Sequence, residues 1–398
     1  MRYRGVREMP EVAFPFTAAD LERTCTRLSE ATMLPGSAFT DPSVLDWEQK
    51  NFFQSGWVCV GHTGQLRERG QYISAQVGPT SVLVVADDDA LPRAFINSCR
   101  HRGAKIVDEP EGQVRRLRCS YHAWSYGFDG SLTNAPFTDD LDNFDASCMG
   151  LLPVDLAVVE GLVLIDLSGE AGPPAEHIGD LAERLAHYRL SELNRGAKVV
   201  YEVNANWKTI VENYSECLHC PGIHPELNRL SHYLTGETMS GDGAWCGGSM
   251  DLAEDAETMG KNGGGNHREP IEGLGEADLR TVLYFTIFPN AMVSLHPDYV
   301  MLHTLWPKAP NRTEVTCEWL FEDRTIAAAD FDPSDAVEFW DQVNREDWGV
   351  CELTQKGLGD GTLPAGRYTK QEDVGHKFDV IVAQRYLEAL GAEIPART

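Results

Sequence analysis

Apolar and polar residues alternate with period two in two separate stretches of the chain. Between and after those stretches the apolar spacing is helical. The first stretch holds Trp57-Val58-Cys59-Val60-Gly61, Gln71-Tyr72-Ile73-Ser74-Ala75-Gln76-Val77 and Ser81-Val82-Leu83-Val84-Val85-Ala86, runs set apart by Gly, Pro and Asp clusters. They predict a small antiparallel β domain, closed by Gly130-Ser131-Leu132 and Pro136. The second holds Val282-Leu283-Tyr284-Phe285, Ala291-Met292-Val293-Ser294-Leu295, Tyr299 to Trp306 and Glu314 to Phe321, which read as a β-meander. Helices are expected over Ala18 to Arg23 with a cap at Thr17, between Ile178 and Leu193, and from about Ser334 to Gly357. A further strand, Lys198 to Asn204, leads into a helix carrying Glu212. The Gly-rich polar stretch from Thr235 to Gly275 predicts a long loop, either a lid or a mobile surface insertion. A boundary near Leu167-Ser168-Gly169 then gives an α+β chain in three parts. Residues 1–43 are an arm packing on the larger domain, 44–166 an all-β domain, and 167–398 an antiparallel sheet with helices.

Composition narrows the function classes. A length of 398 residues exceeds one compact core, in keeping with two domains. The 34 basic against 61 acidic residues give a net charge of −27, which repels nucleic acid and anionic membrane. No run approaches the ~18 apolar residues of a membrane span, and Met1-Arg2-Tyr3-Arg4 leads into no secretory-type segment. A soluble, cytoplasmic protein is expected. Ten scattered cysteines lack the dense spacing of a secreted scaffold and point to reduced thiols, some of them metal ligands.

Cys99-Arg100-His101 and, seventeen residues on, Cys119-Ser120-Tyr121-His122 form the most specific constellation. Each loop supplies one thiolate and one imidazole. Structural zinc can use the same four ligands, but the zinc-finger order places both Cys before both His. One Cys and one His per loop suits a two-iron, two-sulfide cluster of the Rieske type, with both sulfurs on one iron and both nitrogens on the other.

Glu212-Asn213-Tyr214-Ser215-Glu216-Cys217-Leu218-His219-Cys220-Pro221-Gly222-Ile223-His224 is the second constellation. On an unbroken helix, His219 and His224 would face about 140° apart and could not share a metal. Pro221-Gly222 between them predicts a break that turns His224 back. A third ligand must come from elsewhere. On the late helix, Asp347 falls in the apolar stripe of Trp340, Val343, Val350 and Cys351, where a carboxylate needs a partner. Glu346 is the runner-up, and Asp341 with Arg345 reads as a solvated i,i+4 pair. Two His and one carboxylate make the facial triad of a mononuclear ferrous site with open positions. Glu216 is placed to accept the second N–H of His219. For Glu212 and Asn213, helix packing and capping stand beside direct chemistry.

With these motifs the chain resembles the oxygenase (alpha) component of Rieske non-heme iron oxygenases, from about residue 44 onward. The wording Glu212 to Leu227 is similar to the branch acting on quaternary ammonium compounds such as glycine betaine or proline betaine. The resemblance implies a Rieske domain, a helix-grip catalytic domain and a head-to-tail homotrimer passing electrons between subunits. It implies one Rieske 2Fe-2S cluster on Cys99, His101, Cys119 and His122, one mononuclear Fe(II) on His219, His224 and Asp347, and Glu216, Asn213 and Glu212 as the candidate catalytic side chains. The family often has aspartate where this chain has Glu216, in the role of electron bridge.

Three classes of function are compatible with these features: a bare electron carrier, a zinc-stabilised binding module, and a multicomponent oxygenase. Only the oxygenase uses both constellations. NAD(P)H would enter indirectly, through a separate ferredoxin or flavin reductase, because no Gly-x-Gly-x-x-Gly follows a strand here. The expected partners are O2, a small-molecule substrate and that reductase, with no nucleic acid and no membrane. The expected reaction is oxidative N-demethylation of a betaine-like compound, and the alternative is hydroxylation or O-demethylation of an aromatic substrate. Trp245, Phe288, Tyr299 and Trp306 are candidate pocket aromatics.

Overall fold

The structure, a computed structural model, describes residues 13–239 and 241–394, so residues 1–12 of the expected arm lie outside the described residues. Two compact units emerge, one of residues 48–177 and one of residues 13–47 with 178–394.

In the first unit the described strands are β1 (Val58–His62), β2 (Gln71–Val77), β3 (Thr80–Ala86), β4 (Pro92–Ile96), β5 (Glu111–Gln113), β6 (Leu117–Arg118), β7 (Ser125–Tyr126), β8 (Leu132–Asn134), β9 (Asp155–Val159) and β10 (Leu162–Asp166). They form three antiparallel sheets, ordered β1-β10-β9, β4-β3-β2-β5 and β6-β7-β8. Strands β2 and β3 are a hairpin closed by Gly78-Pro79, with Gly78 at φ +57°, a conformation that costs glycine nothing. The Val82–Ala86 run of β3 is wholly buried and anchors the core under the two Cys-His loops.

A seven-stranded antiparallel sheet makes the second unit: β11 (Asn194–Val203), β12 (Glu237–Met239), β13 (Trp245–Asp251), β14 (Thr281–Ile287), β15 (Ala291–Leu295), β16 (Val300–Ala309) and β17 (Arg312–Phe321), in the order β11-β17-β16-β15-β14-β13-β12. Helices Trp207–Tyr214, Ser334–Gly359 and Asp373–Ala389 pack with it, giving the expected α+β helix-grip architecture. Ser334–Gly359 buries Phe339, Val343, Trp348, Cys351 and Gln355, one stripe at helical spacing. The cap at Thr17 is a full capping box with Asp20.

The structure corrects three local expectations. The stretch 235–275 is not one loop, because β12 and β13 lie inside it. Glycines hid β13. A Cβ at Gly247 would lie 2.1 Å from the Tyr284 carbonyl oxygen, and one at Gly248 would lie 2.8 Å from the Tyr284 hydroxyl, so close packing on β14 demands them. The remainder of that stretch is no loose surface insertion, since Leu252, Ala256, Met259 and Ile271 are buried. Lastly, the helix carrying Glu212 ends at Tyr214, before Pro221-Gly222. Ser215 is the C-cap, its N–H and its hydroxyl both donating to the Val211 carbonyl, the hydroxyl at 2.7 Å. Pro221 instead sits in the first turn of a short helix, Cys220–Ile223, where a missing N–H costs nothing.

Arg268 fastens the long connection to the unit. Its guanidinium, 3% exposed, reaches Asp298 Oδ2 at 2.9 Å and forks onto both oxygens of Asp335. Arg268→Ala strands two buried carboxylates, and breaking a buried pair costs about 3–5 kcal/mol. The urea unfolding midpoint should fall accordingly; an unchanged midpoint would show that the pairing carries no stability.

Candidate metal centres and substrate cavity

The two Cys-His loops of the first unit share one backbone design. Cys99 N–H donates to Ala104 O at 2.8 Å and Gly103 N–H to Cys99 O at 2.9 Å; Cys119 N–H donates to Trp124 O at 2.9 Å and Ala123 N–H to Cys119 O at 3.1 Å. The fifth residue of each loop is left-handed, Gly103 at φ +79° and Ala123 at φ +62°. For alanine that conformation is strained, and the ladder on both sides holds it. Both thiols are buried and unpaired. The imidazoles lie outside them at the surface, with ring centroids 4.6 Å apart. Trp124 stacks on His101 at 5.0 Å, and the Tyr126 hydroxyl sits 3.2 Å from Cys99 Sγ. Burial raises the Tyr126 phenol well above its ordinary value, so it stays protonated.

These residues fit a two-iron cluster better than one zinc. A single zinc at about 2.0–2.3 Å from each donor would gather all four. Among the described residues, however, the only group of three or more metal-ligating side chains whose donor atoms lie within 4.8 Å of one another is in the other unit.

That group is His219, His224 and Asp347. Asp347 Oδ1 lies 2.8 Å from His224 Nε2 and 3.2 Å from His219 Nε2. Each opposite ring nitrogen is held by a glutamate: Glu216 Oε1 is 2.6 Å from His219 Nδ1, and Glu346 Oε2 is 2.7 Å from His224 Nδ1. Both Nε2 atoms are thereby aimed at one point, the arrangement expected of outer carboxylates on metal-ligating imidazoles. Burial lowers the His219 pKa, but hydrogen bonds to Asp347 and Glu216 outweigh it and lift the metal-free imidazole to about 10. Burial raises the Asp347 carboxyl, and the same imidazoles pull it below its ordinary value. Convergent donors carrying this much negative charge fit a divalent ion.

Asp347 falls where the helical stripe placed it, and Glu346 is an outer partner of His224. Arg345 reaches Asp341 at 2.9 Å, as the i,i+4 spacing implied, and Tyr201 donates to Asp341 as well. The reduced-thiol expectation fails at one pair: Cys217 and Cys220, with Cα atoms 5.0 Å apart in the turn around His219, are joined as a disulfide. The remaining eight cysteines are unpaired.

A cavity of about 600 Å³, including its mouth, opens beside the three donors. Tyr214, Tyr284, Trp340, Met250, Val282 and Val343 are among its lining residues, as are Asn213 and Glu216. The β14–β15 register sets Tyr284 opposite Ser294, and the Tyr214 hydroxyl bonds Ser294 Oγ at 2.8 Å. Tyr214 and Tyr284 meet edge to face at 6.1 Å, and the Trp340 N–H is tied to Tyr299 at 2.7 Å. None of Trp245, Phe288, Tyr299 and Trp306 lines this cavity. Sequence reasoning missed Tyr284 and Trp340. Their signal was available: Tyr284 shares a strand face with Val282, and Trp340 lies seven residues before Asp347 on the same stripe.

An antiparallel helix-grip unit with a two-His, one-Asp group, joined in one chain to a β unit with paired Cys-His loops, defines a Rieske-type non-heme iron oxygenase. The comparisons agree. Residues 56–145 match the Rieske [2Fe-2S] domain, and residues 190–388 match the ring hydroxylating alpha subunit (catalytic domain). The chain belongs to this ring-hydroxylating alpha-subunit family, with a Rieske cluster and a mononuclear iron as its cofactors. It is 28% identical over 393 residues to the glycine betaine monooxygenase oxygenase subunit of Pseudomonas aeruginosa, covering 90% of each chain. Among solved structures, the quaternary ammonium Rieske monooxygenase CntA in complex with its substrate gamma-butyrobetaine is 25% identical with a TM-score of 0.76, over 95% of this chain and 99% of that one. Naphthalene 1,2-dioxygenase from Rhodococcus sp. bound to indole superposes equally well, with a TM-score of 0.76 at 21% identity over 95% and 99%. The backbone alone therefore does not choose the substrate.

Proposed function

We propose that this chain is the oxygenase component of a monooxygenase that removes an N-methyl group from a small betaine-like quaternary ammonium compound. The observation carrying this reading is the trio Tyr214, Tyr284 and Trp340 in the cavity beside His219 and Asp347. A methylated cation has no N–H to donate, so aromatic faces are its natural partners, each contact contributing about 0.5–2 kcal/mol. Relatives named for glycine betaine and other quaternary ammonium compounds support the same class.

When bound, the cluster supplies single electrons and the mononuclear iron a site for activating dioxygen. The chain's own residues set the stage. Cys99, Cys119, His101 and His122 hold the cluster, and His219, His224 and Asp347 hold the iron. Glu216 and Glu346 fix the two imidazoles, while Met250, Val282 and Val343 keep bulk water from the reacting methyl group. Asn213 lies where it can orient substrate or water. Glu216, longer than the family's usual aspartate, would also receive the electron from a neighbouring subunit's cluster in a homotrimer. A separate reductase drawing on NAD(P)H, a cytoplasmic setting, and functional segments of 1–43, 44–166 and 167–398 complete the reading. No helix among the described residues is long and apolar enough to cross a membrane.

Trp340→Leu and Tyr284→Leu test the cage by calorimetry. Losing one cation–π contact should weaken binding of a trimethylammonium ligand about 2- to 30-fold, from roughly 0.5–2 kcal/mol. A neutral tert-butyl isostere should be affected far less. Equal weakening of both ligands would mean that the aromatics only fill space.

A further inference from the structure

A second cavity, about 720 Å³ including its mouth, shares Asn213, Glu216 and His219 with the first as lining residues. Its wall holds two carboxyls, Glu212 and Asp379, brought together from helices Trp207–Tyr214 and Asp373–Ala389. Asp379 has no exposed surface. Its Oδ2 accepts from the Tyr368 hydroxyl at 2.5 Å, but its Oδ1 has no donor. Glu212 is the group in hydrogen-bonding reach of Asp379. Two ionised carboxylates cannot be held against each other in a buried place, and a single shared proton resolves both the repulsion and the orphaned oxygen.

The other groups facing the pair do not cancel its need for a proton. Lys208 favours ionisation of both carboxyls, whereas Glu372 opposes it for Glu212. The Cys351 thiol of the long helix and the Cys246 thiol of β13 are themselves kept neutral by burial, and Lys377 acts on Cys246. Burial first, then the Asp379 charge, raises Glu212 well above the carboxyl range, and burial raises Asp379 to about 6.

Resting on the oxygenase reading, we propose that Glu212 and Asp379 are a proton-supplying pair that feeds the oxygen chemistry through this second cavity. The reaction R–CH3 + O2 + 2e− + 2H+ → R–CH2OH + H2O breaks the O–O bond, places one oxygen on carbon and releases the other as water. The electrons come from the reductase through the cluster. The protons must reach an enclosed site. Glu212 gives one of them into the cavity toward the Glu216–His219 turn and is reprotonated from solvent along the same cavity, while Asp379, fixed by Tyr368, holds the Glu212 carboxyl in position.

Glu212→Gln, loaded with iron and sulfide to the wild-type level, is the isosteric test, and Asp379→Asn is the second variant. The wild-type protein should show the infrared carbonyl band of a protonated buried carboxylic acid at neutral pH, and Glu212→Gln should lose it. Reductant- and O2-driven turnover should fall roughly 10²-fold in Glu212→Gln, with an enlarged solvent isotope effect. Turnover driven by hydrogen peroxide, which brings oxygen with its electrons and protons (R–CH3 + H2O2 → R–CH2OH + H2O), should stay near the wild-type rate. These rates use whichever substrate, betaine or aromatic acid, couples oxygen uptake in the wild type, so failure of the betaine reading leaves the outcome intact. A merely structural role would slow both routes alike. Stability supplies an independent sign: a carboxyl whose folded value is raised stabilises below its unfolded value and loses that contribution as pH rises through the folded one. Between about pH 5 and pH 8 the urea midpoint should therefore fall more steeply in the wild type than in Glu212→Gln. Absence of the band from the wild type, or an unchanged O2-driven rate and isotope effect in both variants, would overturn the proposal.

Discussion

Asp347→Ala should lose the mononuclear iron and all measurable turnover while leaving the visible and paramagnetic spectra of the cluster untouched. Asp347 Oδ1 is the point on which both Nε2 atoms converge, at 2.8 and 3.2 Å, so its removal takes away one ligand of three and the charge that draws the other two together. Ligands must be deprotonated to hold a metal, and without Asp347 the two Nε2 atoms lose the carboxylate on which they converge, while Glu216 and Glu346 remain on the opposite ring nitrogens. Glu346→Gln should be milder. Its carboxylate only orients His224 through Nδ1, and outer-partner changes cost about 10- to 100-fold in metal affinity or activity. Iron analysis with turnover measurement separates the two. If Asp347→Ala kept full activity and Glu346→Ala did not, the assignment of the helix face would be reversed.

The complementary loss belongs to the other unit. His122→Ala, or His101→Ala, should abolish the Rieske paramagnetic signal on reduction and stop O2-driven turnover, with the mononuclear iron retained. The wild-type protein should be red-brown, with two iron and two inorganic sulfides in the first unit. Cys99 and Cys119 are buried thiols in loops of matched hydrogen bonding, and His101 and His122 are exposed, so the two thiolates and the two imidazoles would each hold one side of the cluster. Zinc without sulfide in the purified protein would contradict this.

How much of this was legible in the sequence depended on range. Strands Gln71–Val77 and Ala291–Leu295 were readable to the residue, the first because a partly exposed strand mixes polar and apolar side chains within a short run, the second because a short, wholly buried apolar run bounded by turn residues reads as a core strand. The pairing of the two Cys-His loops, which we propose hold the cluster, was legible because each Cys and His are nearly adjacent in the chain. Asp347 was legible from its intrusion into an apolar stripe. Strand β13 was not, because its Gly247 and Gly248 answer to Tyr284 on a neighbouring strand rather than to any local pattern. The Cys217–Cys220 bond and the early stop at Ser215 depend on how one turn closes. The aromatic cavity and the Glu212–Asp379 pair join residues from distant elements, and nothing near either residue announces the other.

Coupling of formaldehyde to oxygen is the most direct test of the central claim. The oxygenase, loaded with both metals, would be run with a surrogate reductase and NAD(P)H over a panel of betaines and aromatic acids. Hydroxylation of an N-methyl carbon gives an N-hydroxymethyl ammonium, whose C–N bond breaks to release the tertiary amine, formaldehyde and a proton. One formaldehyde per O2 consumed with a betaine, and none with an aromatic acid, is the predicted result. Oxygen uptake tightly coupled to a hydroxylated or O-demethylated aromatic acid, with no formaldehyde from any betaine, would contradict it.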